Sequence, residues 1–312
     1  MTRVSTSGSY ASVLSNLMSA QQSLFDAGAH ASSQKLGTDL KAYSRDAQVL
    51  TAMQTLNTRL QAFSDQNVIA SNRLETQDLG LKKAAEAADN TRKAITNALA
   101  ADSAAAFMTS VRGEFANAIG ALNTQFAGKF VFAGGQVDTR PVSATKLEDL
   151  TVSLTAVADS FKNDDYIEKV RVDETTILEI GQVADDLGTP MLTAFRDIQA
   201  FQESTNGPFT GKLTAAQKTF LQGQIAVWDT VHKGLVEAAA RNGVVQDQLD
   251  GVETRLTARQ TTIGGMLIDI QQSSEQDLAR VATVLTQAQQ ALQASSQVFI
   301  TLKNVSLLNF LQ

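Results

Sequence analysis

Residues 53–98 read MQTLNTRLQAFSDQNVIASNRLETQDLGLKKAAEAADNTRKAITNA. Alternate steps of three and four from Met53 land on Leu56, Leu60, Phe63, Asn67, Ala70, Leu74, Gln77, Leu81, Ala84, Ala88, Thr91, Ile95 and Ala98. That spacing keeps one side chain per half-heptad on a single helix face, so the stretch reads as the a/d seam of a coiled coil. Its few polar positions fix register rather than add stability. At a rise of ~1.5 Å per residue the helix would run about 68 Å.

A second seam lies far downstream: Leu221, Gln224, Trp228, Val231, Leu235, Ala238, Asn242, Val245, Leu249, Val252, Leu256, Arg259, Ile263, Met266 and Ile270. The same rise makes it about 74 Å long. Two stripes of matched length are expected to pack against each other. The helix breakers agree. Pro141, Pro190 and Pro208 all fall between the two seams, and Pro in a helix interior costs ~3 kcal/mol. Gly80 is the single glycine between Gly37 and Gly113.

Working outward, Thr214-Ala-Ala-Gln217 has capping-box spacing and should start the second long helix after the Asn206-Gly207-Pro208 turn. Phe107, Val111, Phe115, Ala118, Leu122 and Phe126 mark a shorter helix, with Asp102-Ser103 as its expected N-cap. Lys129 to Ala133 reads as a strand stopped by Gly134-Gly135. Leu147, Leu150, Leu154, Val157 and Phe161 suggest one short helix. Val170 to Ile180 reads as a hairpin, and Met191 to Phe201 as helix again.

Both chain ends carry a single narrow apolar stripe. Tyr10, Leu14, Leu17, Gln21, Leu24, Gly28 and Ala31 form one; Leu278, Val281, Leu285, Ala288, Leu292, Ser295, Phe299 and Leu302 form the other. Such a stripe on a Ser/Gln/Ala-rich helix buries nothing until it finds a partner. Two outcomes remain open: an intramolecular hairpin, or ordering on assembly with other copies. The candidate assembly residues are Leu14, Leu17, Leu24, Leu278, Val281, Leu285, Leu292, Phe299 and Leu302.

Composition narrows the function classes. The chain has 312 residues, 26 Lys+Arg against 32 Asp+Glu, a net charge of −6, two His and no Cys. Without Cys there is no thiolate nucleophile, disulfide or Cys-type zinc site. The acidic balance gives no footprint for nucleic acid. No apolar run is long enough to span a membrane, and residues 1–25 lack the apolar core of a secretory signal. Asp26 and His30 share a helix face but make an incomplete metal site. Ala-Gly-Gly at 133–135 does not match a phosphate cradle, and Asp164-Asp165 and Asp185-Asp186 lack calcium-loop spacing. No catalytic, cofactor or metal site is expected.

The ordered set of motifs resembles the flagellin superfamily, in particular its hook–filament junction proteins, the third hook-associated proteins. Arg3-Val-Ser-Thr6 with the stripe after Tyr10 is similar to the family's N-terminal helix. Ser33-Gln-Lys-Leu36 stands where the family has Ser-Gly-Lys/Arg-hydrophobic, although the Asp-Asp-Pro tract that usually follows is absent. Lys129-Phe-Val-Phe-Ala-Gly134 with Asp138-Thr-Arg-Pro141 resembles the junction proteins' Phe-Ala-Gly and Thr-Asp-Thr-x-Pro region. Arg241-Asn-Gly-Val-Val-Gln-Asp-Gln-Leu249, Leu285-Thr-Gln-Ala-Gln-Gln-Ala-Leu292 and Ser306-Leu-Leu-Asn-Phe-Leu311 extend the likeness to the end of the chain.

This resemblance implies a structural, non-enzymatic component of the bacterial flagellum, without cofactors. It implies rings of self-associated subunits at the distal end of the hook, in contact with a neighbouring hook-associated protein and flagellin. It further implies export by the flagellar type III system, with a possible export chaperone, to an extracellular location. The expected fold is mainly α: antiparallel helical rods built from both arms, elongated, with a small mixed α/β insert containing a β-hairpin. The expected segments are 1–40 (N-terminal polymerisation helix), 41–128 (N-terminal rod), 129–212 (mixed insert), 213–272 (C-terminal rod) and 273–312 (C-terminal polymerisation helix). The rival readings are a filament-forming flagellin and a cytoplasmic signalling coiled coil.

Overall fold

The structure, a computed structural model, describes residues 3–35, 46–272 and 275–308, with side chains described for 12–35, 46–272 and 277–301. The chain divides into two compact units, residues 60–258 and residues 1–59 with 259–312. The described residues form seven α-helices, a 3₁₀ turn and two antiparallel two-stranded hairpins. The fold is mainly α with a small β-containing insert.

The unit of residues 60–258 is organised by parts of two long helices, α2 (Ala47–Ala100) and α6 (Ala215–Gln271). Every position of the first seam from Leu60 to Ala98 is buried, apart from the partly buried Phe63. The second seam is likewise buried from Leu221 to Leu256, with only Val245 partly exposed. Asn242 Nδ2 reaches the Leu74 carbonyl at 2.8 Å. Lower on α2, Ser64 donates to Glu253 and Asn67 Nδ2 lies 3.4 Å from Glu253 Oε2. Positions advance along one helix as they recede along the other, so the two seams pair antiparallel.

The start of α6 is the expected capping box. The Gln217 amide N–H donates to Thr214 Oγ1 at 3.2 Å, and the Thr214 amide N–H donates to Gln217 Oε1 at 3.0 Å. Asp102 and Ser103 do not cap the next helix, α3 (Phe107–Leu122), whose N-cap is Ala106 without a side-chain bond. Asp102 instead ion-pairs with Lys218 at 2.7 Å, and that hydrogen bond holds its carboxyl below the usual range. Its backbone carbonyl accepts from the Leu213 amide. The pair lashes the end of α2 to the entry of α6.

Of the expected strand Lys129–Ala133, only Lys129–Phe130 (β2) pairs, with Gln125–Phe126 (β1). Ala127 and Gly128 sit at φ 48° and 80°, the left-handed pair a two-residue hairpin turn requires. The Val131 amide still donates to the Thr124 carbonyl at 3.1 Å, and from there Val131, Phe132 and Ala133 run into the core, where all three are buried. Lys169–Arg171 (β3) pairs with Ile177–Glu179 (β4), as the alternation indicates. Asp173 Oδ1 accepts the Thr175 and Thr176 amides, both at 2.7 Å, and closes that turn.

Phe126, expected on the helix from Phe107, lies in β1 beyond the end of α3, and two further helix expectations fail. The helix expected through Leu147–Phe161 is broken into a 3₁₀ turn (Leu147–Leu150) and a one-turn helix, α4 (Ala156–Asp159), while Leu154 is fully exposed. Asp149 Oδ2 accepts from the Thr145 and Lys146 amides and caps the start of the 3₁₀ turn. The helix expected from Met191 begins earlier, as α5 (Ala184–Glu203), with Pro190 inside its second turn. One missing amide bond there is offset by burial, since Met191, Leu192, Ala194, Phe195 and Ile198 are all essentially inaccessible.

Aromatic contacts knit α3, α5 and α6 together. Phe195 meets Phe115 edge-on at 5.3 Å and Trp228 at 4.6 Å. Phe201 stacks on Phe220 at 4.1 Å. Arg73, nearly buried on α2, pairs with Glu168 at 2.7 Å and anchors the segment that leads into β3.

Candidate assembly interface

The second unit contains α1 (Arg3–Ser33) and α7 (Glu275–Leu308). These helices pack along each other. An antiparallel bridge between Lys35 and Gln272 sets their register at one end. The stripes at the two chain ends therefore find each other within one chain.

On α7 the stripe lies where the spacing puts it. Ala288 is buried and Leu278, Val281, Leu285, Leu292 and Ser295 are partly buried, while Phe299 is more exposed. On α1 the inward face is Val13, Leu17, Ala20, Leu24 and Ala27. Leu17 and Leu24 belong to it as expected. Leu14, Gln21 and Ala31 do not; they are exposed. The physical reason is side-chain size: the small Ala20 and Ala27 let α7 approach, and a reading that follows large residues drifts off that face. The side chains of Tyr10 and Leu302, and the Ser306–Leu311 ending beyond Leu308, lie outside the described residues, as do residues 36–45.

Electrostatically the pair is unusual. Residues 4–25 and 281–302 contain no Asp, Glu, Lys, Arg or His, in a chain that is 19% charged. Among the described side chains of these stretches the exposed ones are Ser, Thr, Asn, Gln and Ala, interrupted by Leu14, Met18, Phe25, Val284, Val298, Phe299 and Ile300. A surface meant to stay in water is usually rich in charge, whereas the centre of a protein–protein interface is depleted of it. Asp26, just beyond the uncharged stretch, accepts from Gln22 Nε2 at 3.0 Å.

Among the described residues no group of three His, Asp or Glu side chains could hold a metal ion, and no helix is long and apolar enough to cross a membrane. Asp164 serves a structural purpose: its Oδ1 takes the Gly135 amide at 2.6 Å and the Tyr166 amide at 3.1 Å, which lowers its pKa. Gly134, at φ 64°, leaves the room this requires. A cavity of about 450 Å³ between α5 and α6 is lined by Leu187, Pro190, Val231 and Leu235, with Asp186 and Arg241 among its polar lining groups. These residues assemble no nucleophile with a base.

No protein-family model matches the sequence, and no curated protein does. Solved structures do match the fold. A protein described as a flagellar hook-associated protein from Vibrio parahaemolyticus aligns with a TM-score of 0.58 at 12% identity, over 72% of this chain and 97% of that chain. Bacillus cereus FlgL aligns with a TM-score of 0.56 at 11% identity, over 70% of this chain and 99% of that chain. Nearly the whole length of both structures is thus contained in this fold.

Proposed function

We propose that this chain is a structural component of the bacterial flagellum, a junction adaptor between hook and filament that assembles through its terminal helices. The observation that carries this reading is the near-complete coverage of two flagellar structures, one of them described as hook-associated, by this fold. The charge-free stretches of the α1–α7 pair, residues 4–25 and 281–302, support it, because contacts between identical acidic subunits are favoured where no like charges meet. Leu17, Leu24, Leu278, Val281, Leu285 and Leu292 hold the pair together. Leu14 and Phe299, both exposed, are assigned to contacts between subunits.

The mechanism is association without catalysis. Burial of a large apolar side chain is worth ~1.5–3 kcal/mol, and the gain from burying such side chains between subunits is set against the entropy of ordering the groups that make the contact. The partners are other copies of the chain, a neighbouring hook-associated protein and flagellin. The site of action is extracellular, reached by flagellar export, with an export chaperone as a further partner.

Deleting the gene tests this. Hooks should persist without filaments, and filament subunit should accumulate in the medium. Normal filaments in the deletion strain would refute the junction reading, and long filaments formed by the purified protein would favour a filament subunit.

A further inference from the structure

The cavity between α5 and α6 lies wholly within the unit of residues 60–258. Its apolar floor includes Val183, Val231 and Leu235, all buried, and the partly buried Leu187. Asp186, in the first turn of α5, and Glu237 and Arg241, on α6, also line it and are exposed, so they stand at its mouth. At about 450 Å³ it falls in the size range of small-molecule sites, roughly 300–1,000 Å³. It shares their make-up too: an apolar body with a few charged groups at fixed places.

The charges at the mouth are uncommitted. Glu237 and Arg241 are four apart on one helix, acid before base, the order in which such pairs close best. Asp78–Lys82, Asp89–Lys93 and Asp229–Lys233 have the same spacing and order, and they close at 2.6, 2.7 and 2.7 Å. Among the described residues no ion pair joins Glu237 to Arg241, and none engages the Asp186 carboxylate. Gly234 lines the same cavity, and a Cβ added there would meet no neighbouring atom within 4 Å.

An occupant complementary to these groups has three parts. An aliphatic body displaces water from the floor. An ammonium group answers Asp186 and Glu237. A carboxylate answers Arg241, whose planar guanidinium accepts it in two parallel hydrogen bonds. A ligand with one charge leaves the other sign at the mouth without a partner. An apolar α-amino acid, free or as the ends of a short peptide, has all three parts.

We infer that the α5–α6 cavity binds an apolar zwitterion, a hydrophobic amino acid or short apolar peptide. Asp186 and Glu237 hold its ammonium and Arg241 holds its carboxylate. The site uses neither terminal helix and needs no second copy of the chain. Its occupant touches α5 and α6 together, so binding favours the folded unit and raises its unfolding temperature.

The test uses the full chain near neutral pH, with ligand-observed saturation-transfer NMR. The probes are L-leucine, L-leucyl-L-leucine, L-leucinamide and 4-methylpentanoate. The better of the two zwitterions should bind at millimolar concentration, severalfold more tightly than leucinamide, which lacks the carboxylate, or 4-methylpentanoate, which lacks the ammonium. A preference for leucine assigns the site to free amino acids and a preference for leucyl-leucine assigns it to peptides; both support the inference. Arg241→Gln should reduce zwitterion binding to the leucinamide level. Asp186→Asn combined with Glu237→Gln should reduce it to the 4-methylpentanoate level. Gly234→Leu should fill the cavity and abolish binding, while circular dichroism and Trp228 emission match the parent chain. Should that variant fail to fold, the exposed substitutions Arg241→Gln and Glu237→Gln decide the matter. Leucinamide binding as well as the better zwitterion would overturn the inference. So would zwitterion binding undiminished in Arg241→Gln or in a folded Gly234→Leu chain, or no binding of either zwitterion up to its solubility limit.

Discussion

Asn242 of α6 donates its side-chain amide to the backbone carbonyl of Leu74 on α2 at 2.8 Å, in the middle of the buried seam between the two helices. Asn242 is 2% exposed, so the bond forms away from water. Asn242→Ala should lower the unfolding free energy by about 1–2 kcal/mol. Asn242→Asp should cost more, because it buries a charge beside a carbonyl. Urea unfolding followed by Trp228 fluorescence measures both; the opposite order would contradict the assignment.

Gly80 faces Phe132. A Cβ added at Gly80 would lie 2.8 Å from Phe132 Cε2, and both residues are buried. Helix propensity alone predicts that Gly80→Ala stabilises α2 by ~1 kcal/mol, but overpacking a filled core costs ~1–3 kcal/mol. The ring cannot move freely, so the variant should be destabilised. Combining it with Phe132→Leu should recover the propensity gain, visible as favourable coupling in a double-mutant cycle.

Asp89 accepts hydrogen bonds from Lys93 and Arg92, the two largest influences that hold its pKa at about 2. Its folded-state value lies below the unfolded value of ~3.9. Its contribution is therefore complete above pH ~4 and is lost as pH falls through about 2. Asp89→Asn should cost roughly 0.5 kcal/mol at neutral pH, the scale of helix-surface pairs. The difference from the parent chain should vanish by the acid end of that window. A gap that widened on acidification would contradict the pairing.

Leu292 is partly buried in the α1–α7 pair. Leu292→Asp sets a carboxylate against apolar side chains, at a cost of about 2 kcal/mol or more. Circular dichroism should lose helix while Trp228, in the other unit, keeps its buried emission, and incorporation into flagella should fail. Collapse of the Trp228 signal together with the helix signal would tie the two units into one folding event and count against this separation.

The long seams were legible because a 3–4 alternation sustained over many turns has no competing interpretation, and Leu60 to Ala98 and Leu221 to Leu256 lie where it places them. The capping box at Thr214 was legible for the same reason: its two partners are local. What escaped depended on distant atoms. Pro190 reads as a helix boundary until the burial of Met191 and Phe195 outweighs it. Asp102 reads as a cap until Lys218 is brought beside it. At the terminal pair, α7 carries one apolar stripe and was placed well. α1 carries two, Val13/Leu17/Leu24 and Leu14/Met18/Phe25, and only the packed partner decides which faces inward.

The central claim is a position: a short zone between hook and filament. Leu154 is fully exposed and the chain has no other thiol once Leu154→Cys is made, so a maleimide dye marks this protein selectively among purified flagella lacking cysteine elsewhere. Imaging with an independent hook marker should show one compact spot at the distal end of each hook. Label spread along the filament, or retained inside the cell, would contradict the account.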